Sequence, residues 1–232
     1  MLFDLGGVLV HLDYAAIAEE AAQLGMALDA AALPRAEGLA RRAIDARAGV
    51  LGAVPGTDAS RVPSYFDDLL NGAGIAEDAR RELVARLQAH NRERSLWRVP
   101  FACARATLES LRRSGLRLGV VSNADGRAAA ILQATGLAPS LEVIVDSHHE
   151  GVEKPDAEIF RRALARLGVR AEDSIFVGDI VSIDVVGARN AGLRPVLLDA
   201  AGAYRDVEDC ARIERPGELL ALLGLGAAGE VA

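Results

Sequence analysis

The sequence predicts an α/β protein that combines a parallel sheet with an inserted helical segment, and two patterns support this prediction. Short apolar runs that end in a polar residue alternate with helix-length segments that close on glycine. Such alternation is typical of βαβ units, which build parallel sheets. A long stretch with helical patterns alone separates the first apolar run from the others. The insert therefore follows the first strand of the sheet.

The elements of the sheet can be placed from these patterns. The apolar runs predict strands at 1–4, 116–122, 141–146, 174–179 and 195–199, and the segments between them predict helices at 126–136, 156–168 and 184–192. Only three residues precede Asp4, which is about 10 Å of strand at ~3.3 Å per residue. We therefore expect either that the natural chain begins a few residues upstream of Met1 or that this strand is unusually short.

The insert, residues 14–97, is predicted to be a small helical domain. Its patterns predict helices at 14–25, 33–48, 60–70 and 77–94, and Leu83, Val84 and Leu87 mark the apolar face of the last one. The loop 49–60 is rich in glycine and proline, so we expect it to be flexible and suited to a lid. The predicted division is a core of residues 1–13 and 98–232 with the insert between its two parts.

Composition and charge exclude several classes of protein. The 33 acidic residues outnumber the 26 basic ones, and the net charge of -7 argues against a sequence-independent grip on nucleic acid. No uncharged stretch is long and apolar enough to cross a bilayer, and no secretory signal is visible. Cys103 and Cys210 are expected to be free thiols, so we predict a cytoplasmic protein. Nothing in the sequence indicates an oligomeric state.

Polar side chains at the ends of the predicted strands should meet, because open parallel sheets bind ligands beyond the carboxyl ends of their strands. These side chains, with others in the nearby loops, are Asp4, Ser122, Asn123, Lys154, Asp179 and Asp184. Carboxylates hold Mg²⁺, a cation offsets phosphate charge, and a carboxylate can attack phosphorus. The set therefore predicts Mg²⁺-dependent phosphoryl transfer on a small phosphorylated metabolite.

Lys154 is the only lysine in the chain, since the other 25 cationic side chains are arginines. A lysine ammonium is a compact point charge, whereas the guanidinium is wide and planar. We therefore predict a specific role for Lys154, with drift at a surface site as the alternative.

Four segments carry a resemblance to a known family. They are FDLGGVLV from Phe3, VVSNADG from Val120, GVEKPDAEIF from Gly151 and VGDIVSIDVVGARNAG from Val177. In order and spacing they resemble the four motifs of the haloacid dehalogenase-like (HAD) hydrolase superfamily, in its C1-capped phosphatase-like branch. The resemblance implies a Rossmann-like parallel core, with residues 14–97 as a helical C1 cap.

The resemblance also implies roles for the residues of a metal site. Asp4 would be the nucleophile that forms an aspartyl-phosphate. Mg²⁺ would be bound by the Asp4 carboxylate, the backbone carbonyl of Gly6 and Asp179. Asp184 would complete the metal site by holding a metal-bound water or Lys154.

On the substrate side, the resemblance implies that Ser122 donates a hydrogen bond to a phosphoryl oxygen. Backbone amides near Asn123 and Ala124 would help to bind the phosphoryl group. Lys154 would bridge Asp4 and the transferring group and stabilise the charge that develops in the transition state.

The chain departs from the family pattern two residues after the nucleophile. Family phosphatases commonly carry a second Asp there, which protonates the leaving alkoxide, but this chain has Gly6, in a turn where glycine permits positive φ. Other candidates for the proton donor are His11, Asp13, His148 and His149. Residues in such positions more often cap a helix or face solvent. Arginines of the insert that could reach an anionic substrate are Arg41, Arg42, Arg47 and Arg61.

Three functions are compatible with these sequence features. The leading one is a Mg²⁺-dependent phosphatase of small metabolites. A 2-haloacid dehalogenase also lacks the second Asp, but it needs no metal and usually loses the acidic pair seen here as Asp179 and Asp184. A non-catalytic phosphoryl-binding or regulatory protein is the third, suggested by Gly6 and opposed by retention of the other site residues.

Overall fold

The computed structural model describes residues 1–51 and 58–225; for residues 50, 51 and 58–63 it describes the backbone alone. Its strands are β1 (Leu2–Phe3), β2 (Val10–Leu12), β3 (Trp97–Pro100), β4 (Gly119–Ser122), β5 (Val143–Asp146), β6 (Ile175–Gly178), β7 (Arg194–Leu198) and β8 (Ala211–Ile213). Six of them form one parallel sheet in the order β5-β4-β1-β6-β7-β8. The predicted parallel α/β fold is confirmed, and β1 lies at its centre with two residues.

The helices are α1 (Tyr14–Gln23), α2 (Leu33–Leu51), α3 (Asp58–Gly72), α4 (Glu77–Glu93), α5 (Ala104–Arg113), α6 (Ala128–Ala134), α7 (Ser147–Glu150), α8 (Ala157–Leu167), α9 (Val186–Asn190) and α10 (Glu218–Leu222). A π-helical turn, Val181–Val185, leads into α9. All four helices predicted for the insert are present. The expected lid loop 49–60 is wrong at both ends, where residues 49–51 belong to α2 and 58–60 to α3, and its residues 52–57 lie outside the described part. None of the described helices is long and apolar enough to cross a membrane.

Both faces of the sheet are covered by apolar clusters. Successive residues of a strand point to opposite faces and so join different clusters. In β1, Phe3 packs into one apolar cluster and Leu2 into another. Helix α8 covers the second face; Asp156 caps its first turn by accepting a hydrogen bond from the backbone N–H of Glu158, and Gly168 ends it in the left-handed conformation. These local signals explain why the sequence placed α8 correctly.

The helical insert has its own apolar cluster, which includes Phe66, Leu83 and Leu87. It is joined to the sheet by a short antiparallel pair, β2 with β3, which the sequence analysis did not predict. Trp97 begins β3, packs against clusters of both regions and stacks on Phe66 with ring centroids 5.6 Å apart. Trp97 therefore packs at the boundary between the insert and the sheet.

Candidate active site

The ammonium group of Lys154 joins two carboxylates that lie far apart in the sequence. Its Nζ atom is 2.9 Å from Oδ2 of Asp4 and 2.8 Å from Oδ1 of Asp184, and the lysine is 1% exposed. Burial by itself would lower the pKa of Lys154, but Asp184 and Asp4 raise it above its usual value. Lys154 is therefore a charged ammonium group held between two acids.

Asn123 fixes the backbone of Lys154. The side-chain amide of Asn123 donates to the carbonyl of Lys154 at 3.0 Å, and its Oδ1 accepts from the Lys154 N–H at 2.7 Å. Both polar atoms of the Asn123 side chain therefore bind the backbone of Lys154. A contact from Asn123 to a phosphoryl group would have to use its backbone N–H. The N–H of Ala124 donates to Ser147 Oγ at 3.1 Å, which differs from the expected role of that amide in phosphoryl binding.

Asp4 follows the central strand, at the carboxyl edge of the sheet. Its N–H donates to the carbonyl of Val177 at 2.8 Å, and its Oδ1 accepts from the N–H of Leu5 at 2.7 Å. Burial raises the pKa of Asp4 to about 6, even though the Lys154 ammonium acts in the opposite direction. Ser122 ends the adjacent strand β4 and is also buried. The sheet therefore brings Asp4 and Ser122 to the same edge, as predicted.

Asp184 organises the turn after β6. Its Oδ2 accepts hydrogen bonds from the N–H groups of Asp179 at 2.9 Å and Ile180 at 3.0 Å, while Oδ1 binds Lys154. Space for this arrangement exists because residue 178 is glycine: a Cβ there would lie 2.2 Å from Cβ of Asp184. Both oxygens of Asp184 are engaged, which agrees with the expected hold on Lys154.

Three carboxylates lie close enough to bind one metal ion. Ligand atoms of Asp4, Asp179 and Asp184 all lie within 4.8 Å of one another, and no other such cluster occurs in the described residues. Burial raises the pKa of Asp179 well above its usual value, although an arginine opposes this. A site with more buried negative than positive charge and with oxygen donors fits a hard divalent cation such as Mg²⁺.

The two glycines after Asp4 have different structural roles. Gly7 has φ of +75°, and a Cβ on it would lie 2.1 Å from Oδ2 of Asp179, so a side chain there would collide with the carboxylate cluster. Gly6 does not have positive φ, so the positive φ expected in this turn belongs to Gly7 instead. A Cβ on Gly6 would instead lie 3.0 Å from Cδ1 of Trp97. The indole ring of Trp97 therefore lies where the second acid of the family pattern would project.

The suggested replacement proton donors have other partners or positions. His11 Nδ1 lies 2.7 Å from the carbonyl of Leu12, and the ring stacks on Tyr14. Asp13 accepts from the N–H of Ala16 and from Arg98, so it is the N-cap of α1. His148 and His149 are exposed side chains of α7. The structure does not bring any of them into the carboxylate cluster.

The insert reaches the carboxylate cluster through Arg41, on α2. Its Nε lies 2.6 Å from Oδ2 of Asp179, at an angle that makes an ion pair without a hydrogen bond, and its Nη2 lies 2.9 Å from Oε1 of Glu37. Glu37 also accepts hydrogen bonds from the hydroxyls of Tyr14 and Tyr65. Burial raises the pKa of both tyrosines, so they are neutral donors.

This network was not predicted from the sequence, apart from Arg41 as one of four candidate arginines. Among the other candidates, Arg42 pairs with Asp206 and Arg47 with Asp68, while the side chain of Arg61 lies outside the described residues. The i, i+4 spacing of Glu37 and Arg41 puts them on one helix face, and this spacing could have indicated their ion pair.

Comparisons of the chain with a family model and with known proteins agree on one family. A family model for haloacid dehalogenase-like hydrolases matches residues 1–192. The chain is 32% identical to glyceraldehyde 3-phosphate phosphatase of Methanopyrus kandleri over 69% of this chain and 72% of that protein. It is 30% identical to phosphatase MT3486 of Mycobacterium tuberculosis over 89% of each chain. The structure of 2-haloacid dehalogenase from Pseudomonas syringae shares the fold, with a TM-score of 0.57 and 24% identity over 96% of each chain.

The geometry around Lys154 predicts a large loss of stability when its charge is removed. Lys154→Met keeps much of the side-chain volume but leaves the buried Asp184 carboxylate and the partly buried Asp4 carboxylate without their cation. Removing one partner of a buried ion pair typically costs about 3–5 kcal/mol. We expect a loss of this size in the free energy of unfolding, measured by urea denaturation in EDTA at neutral pH. Arg170→Met, at an exposed ion pair, is the control and should cost less than about 1 kcal/mol. Equal effects in the two variants would contradict the assignment.

Proposed function

The chain belongs to the haloacid dehalogenase-like hydrolase family, and within this family of enzymes we propose that it is a Mg²⁺-dependent phosphatase of small phosphorylated metabolites. One observation carries the proposal: the Lys154 ammonium lies 2.9 Å from the Asp4 carboxylate, and Asp179 belongs to the same cluster of acids. A nucleophile, a cation and metal ligands of oxygen type are the parts that phosphoryl transfer requires. The two phosphatases at 30% identity or more support the same chemistry.

We propose that residues 14–97 act as a cap over a core formed by residues 1–13 and 98–232. The separate apolar cluster of the insert and its connection through the β2–β3 pair support this division. Arg41 reaches Asp179 from the insert, so the polar network around Glu37 would face the substrate side of the site. A cap of this kind can exclude water and select substrates.

In the proposed reaction, an Asp4 carboxylate oxygen attacks phosphorus and the bond from phosphorus to the leaving oxygen breaks. Lys154 stabilises the charge on the transferring group, and Ser122 donates its hydroxyl to a phosphoryl oxygen. The product on the enzyme is an aspartyl-phosphate. Water then attacks its phosphorus, which releases inorganic phosphate and regenerates the Asp4 carboxylate.

The donor set fits a metal site in which Asp4, Asp179 and the backbone carbonyl of Gly6 would hold Mg²⁺. The ion would supply positive charge to offset the phosphate dianion and the clustered acids. Asp184 contributes by keeping Lys154 and the N–H groups of residues 179 and 180 in place. Without a carboxyl at residue 6, the leaving oxygen would take its proton from solvent.

Two other functions are weighed against this one. Gly6 favours 2-haloacid dehalogenation, and the fold by itself is shared with dehalogenases. The buried Asp179 carboxylate, placed beside Asp4, supports a metal-dependent reaction instead. Gly6 also favours a non-catalytic phosphoryl-binding protein, but the intact contact from Lys154 to Asp4 supports catalysis.

The proposed setting is the cytoplasm. Cys103 and Cys210 are free thiols, which supports a reducing compartment. The net charge of -7 supports a small-molecule substrate rather than nucleic acid.

The function is tested with a panel of phosphorylated metabolites that includes glyceraldehyde 3-phosphate and phosphoserine, with 2-chloropropionate as the dehalogenase substrate. We expect phosphate release from at least one metabolite with Mg²⁺, and background rates in EDTA or in Asp4→Asn, because the nucleophile and the charge balance are then lost. Halide release without phosphate release would establish the dehalogenase alternative. Tight phosphate binding without turnover would establish the non-catalytic one.

Gly6 predicts a steep dependence of rate on the leaving group. General acid catalysis is typically worth 10²–10⁴-fold, so we expect fast hydrolysis of aryl phosphates and slow hydrolysis of simple alkyl phosphates. The measurement is kcat/KM for a series of esters with graded leaving-group pKa.

The matched test restores an acid at residue 6. Because Trp97 occupies the space beside Gly6, the double variant Gly6→Asp with Trp97→Leu is compared with Trp97→Leu alone. Alkyl phosphate turnover should rise in the double variant, by at most about 10²–10⁴-fold. A flat series in the unmodified enzyme would show that another group supplies the proton.

A further inference from the structure

One face of helix α2 is docked on the core. The residues of this face are Gly38, Arg41, Arg42 and Asp45, at spacings that place them on the same side of a helix. A Cβ on Gly38 would lie 2.6 Å from Cβ of Ala201, so the helix backbone approaches the core closely at that point. Arg42 pairs with Asp206 at 2.9 Å, in an exposed contact at the rim of this face. The insert therefore contacts the core through a defined surface, which we call the α2 docking face.

Asp45 on this face binds the backbone of the segment that carries the acids. Its Oδ1 accepts a hydrogen bond from the N–H of Ser182 at 2.7 Å. Ser182 lies in the π-helical turn Val181–Val185, between Asp179 and Asp184. The first N–H groups of a helical turn have no partner within the turn. A side chain of the insert thus caps a turn of the core.

The second oxygen of Asp45 is anchored on a rigid group. Its Oδ2 accepts from the hydroxyl of Tyr204 at 2.5 Å, and Tyr204 is 1% exposed. The N–H of Tyr204 donates in turn to Asp199 Oδ2 at 2.9 Å. Because Tyr204 is buried and bonded at both its hydroxyl and its backbone, Asp45 has a fixed position when α2 is docked.

The segment 179–184 is held from two sides. From within, Asp184 accepts from the N–H groups of residues 179 and 180. From the insert, Asp45 binds the N–H of Ser182, whose hydroxyl is buried without a hydrogen-bond partner. The Ser182 N–H is therefore the polar link between this segment and Asp45.

We infer that Asp45 is a positioning residue, through which the docked insert sets the geometry of Asp179 and so the affinity of the site for a divalent cation. The inference rests on the proposed metal site. Groups that orient metal-ligating carboxylates typically change metal affinity by about 10–100-fold when they are removed. By linkage, metal binding favours the docked insert to the same extent.

The test measures binding of Mn²⁺ alone, without substrate, from the electron paramagnetic resonance signal of the free ion. Asp45→Ala should raise the Kd by about 10–100-fold. Asp45→Asn retains an oxygen acceptor for the Ser182 N–H, and its amide NH₂ can donate to the Tyr204 hydroxyl oxygen in place of the present bond, so it should bind Mn²⁺ as the unmodified protein does. Asp206→Asn breaks the exposed Arg42–Asp206 ion pair at the rim of the α2 docking face and leaves Arg42 over the Tyr204 ring, so it is the matched control, with an unchanged Kd expected. Tyr204→Phe removes the anchor of Asp45 and should give a smaller loss, which keeps the test decisive if Asp45→Ala fails to fold.

Each outcome has a distinct meaning. No binding by the unmodified protein would overturn the proposed metal site itself. Normal binding by Asp45→Ala, or by Tyr204→Phe where the alanine variant does not fold, would overturn the role of Asp45 and leave the proposed function intact. An equal loss in Asp45→Asn would assign the effect to charge, and an equal loss in Asp206→Asn would assign it to docking in general; either result contradicts positioning through the Ser182 hydrogen bond.

Discussion

The contact of the Lys154 ammonium with the carboxylates of Asp4 and Asp184 is the interaction on which the rest of the site depends. Without this cation, the carboxylates of Asp184 and Asp4 would lower the free energy of unfolding, because they are largely removed from water. Several contacts hold the lysine in place. Asn123 holds its backbone through two hydrogen bonds, and Asp184 ties it to the turn that carries Asp179. Elements from three strands thus converge on one ammonium group.

Much of this arrangement could be predicted from sequence because its signals are local. Each strand that supplies the site ends in a polar residue, and the lone lysine stands out against the arginines. Strands β2, β3 and β8 were missed because a histidine or arginine interrupts each of them, so none is a continuous apolar run. The contact of Arg41 with Asp179 was missed because it joins the insert to the core, and no local pattern records how two such regions meet.

The glycines after Asp4 also show that a local sequence pattern does not record how distant segments meet. From the sequence, positive φ was expected in the turn at Gly6. In the structure, Gly7 has the positive φ and the close approach to Asp179, while the space beside Gly6 is filled by Trp97. The departure from the family pattern therefore involves the surroundings of Gly6 as well, since a side chain at residue 6 would contact the Trp97 ring from its Cβ onward. The insert thus approaches the site at two points, with Trp97 beside Gly6 and Arg41 at Asp179.

The central claim is that Asp4 attacks phosphorus and carries the phosphoryl group. Its most direct test is rapid acid quenching during turnover of a ³²P-labelled aryl phosphate, followed by proteolysis and mass spectrometry of the labelled peptide. The account predicts a hydroxylamine-sensitive phosphoryl group on Asp4, formed and lost at rates consistent with turnover. A phosphoryl group on another residue, or steady phosphate release with no labelled protein at any quench time, would contradict it.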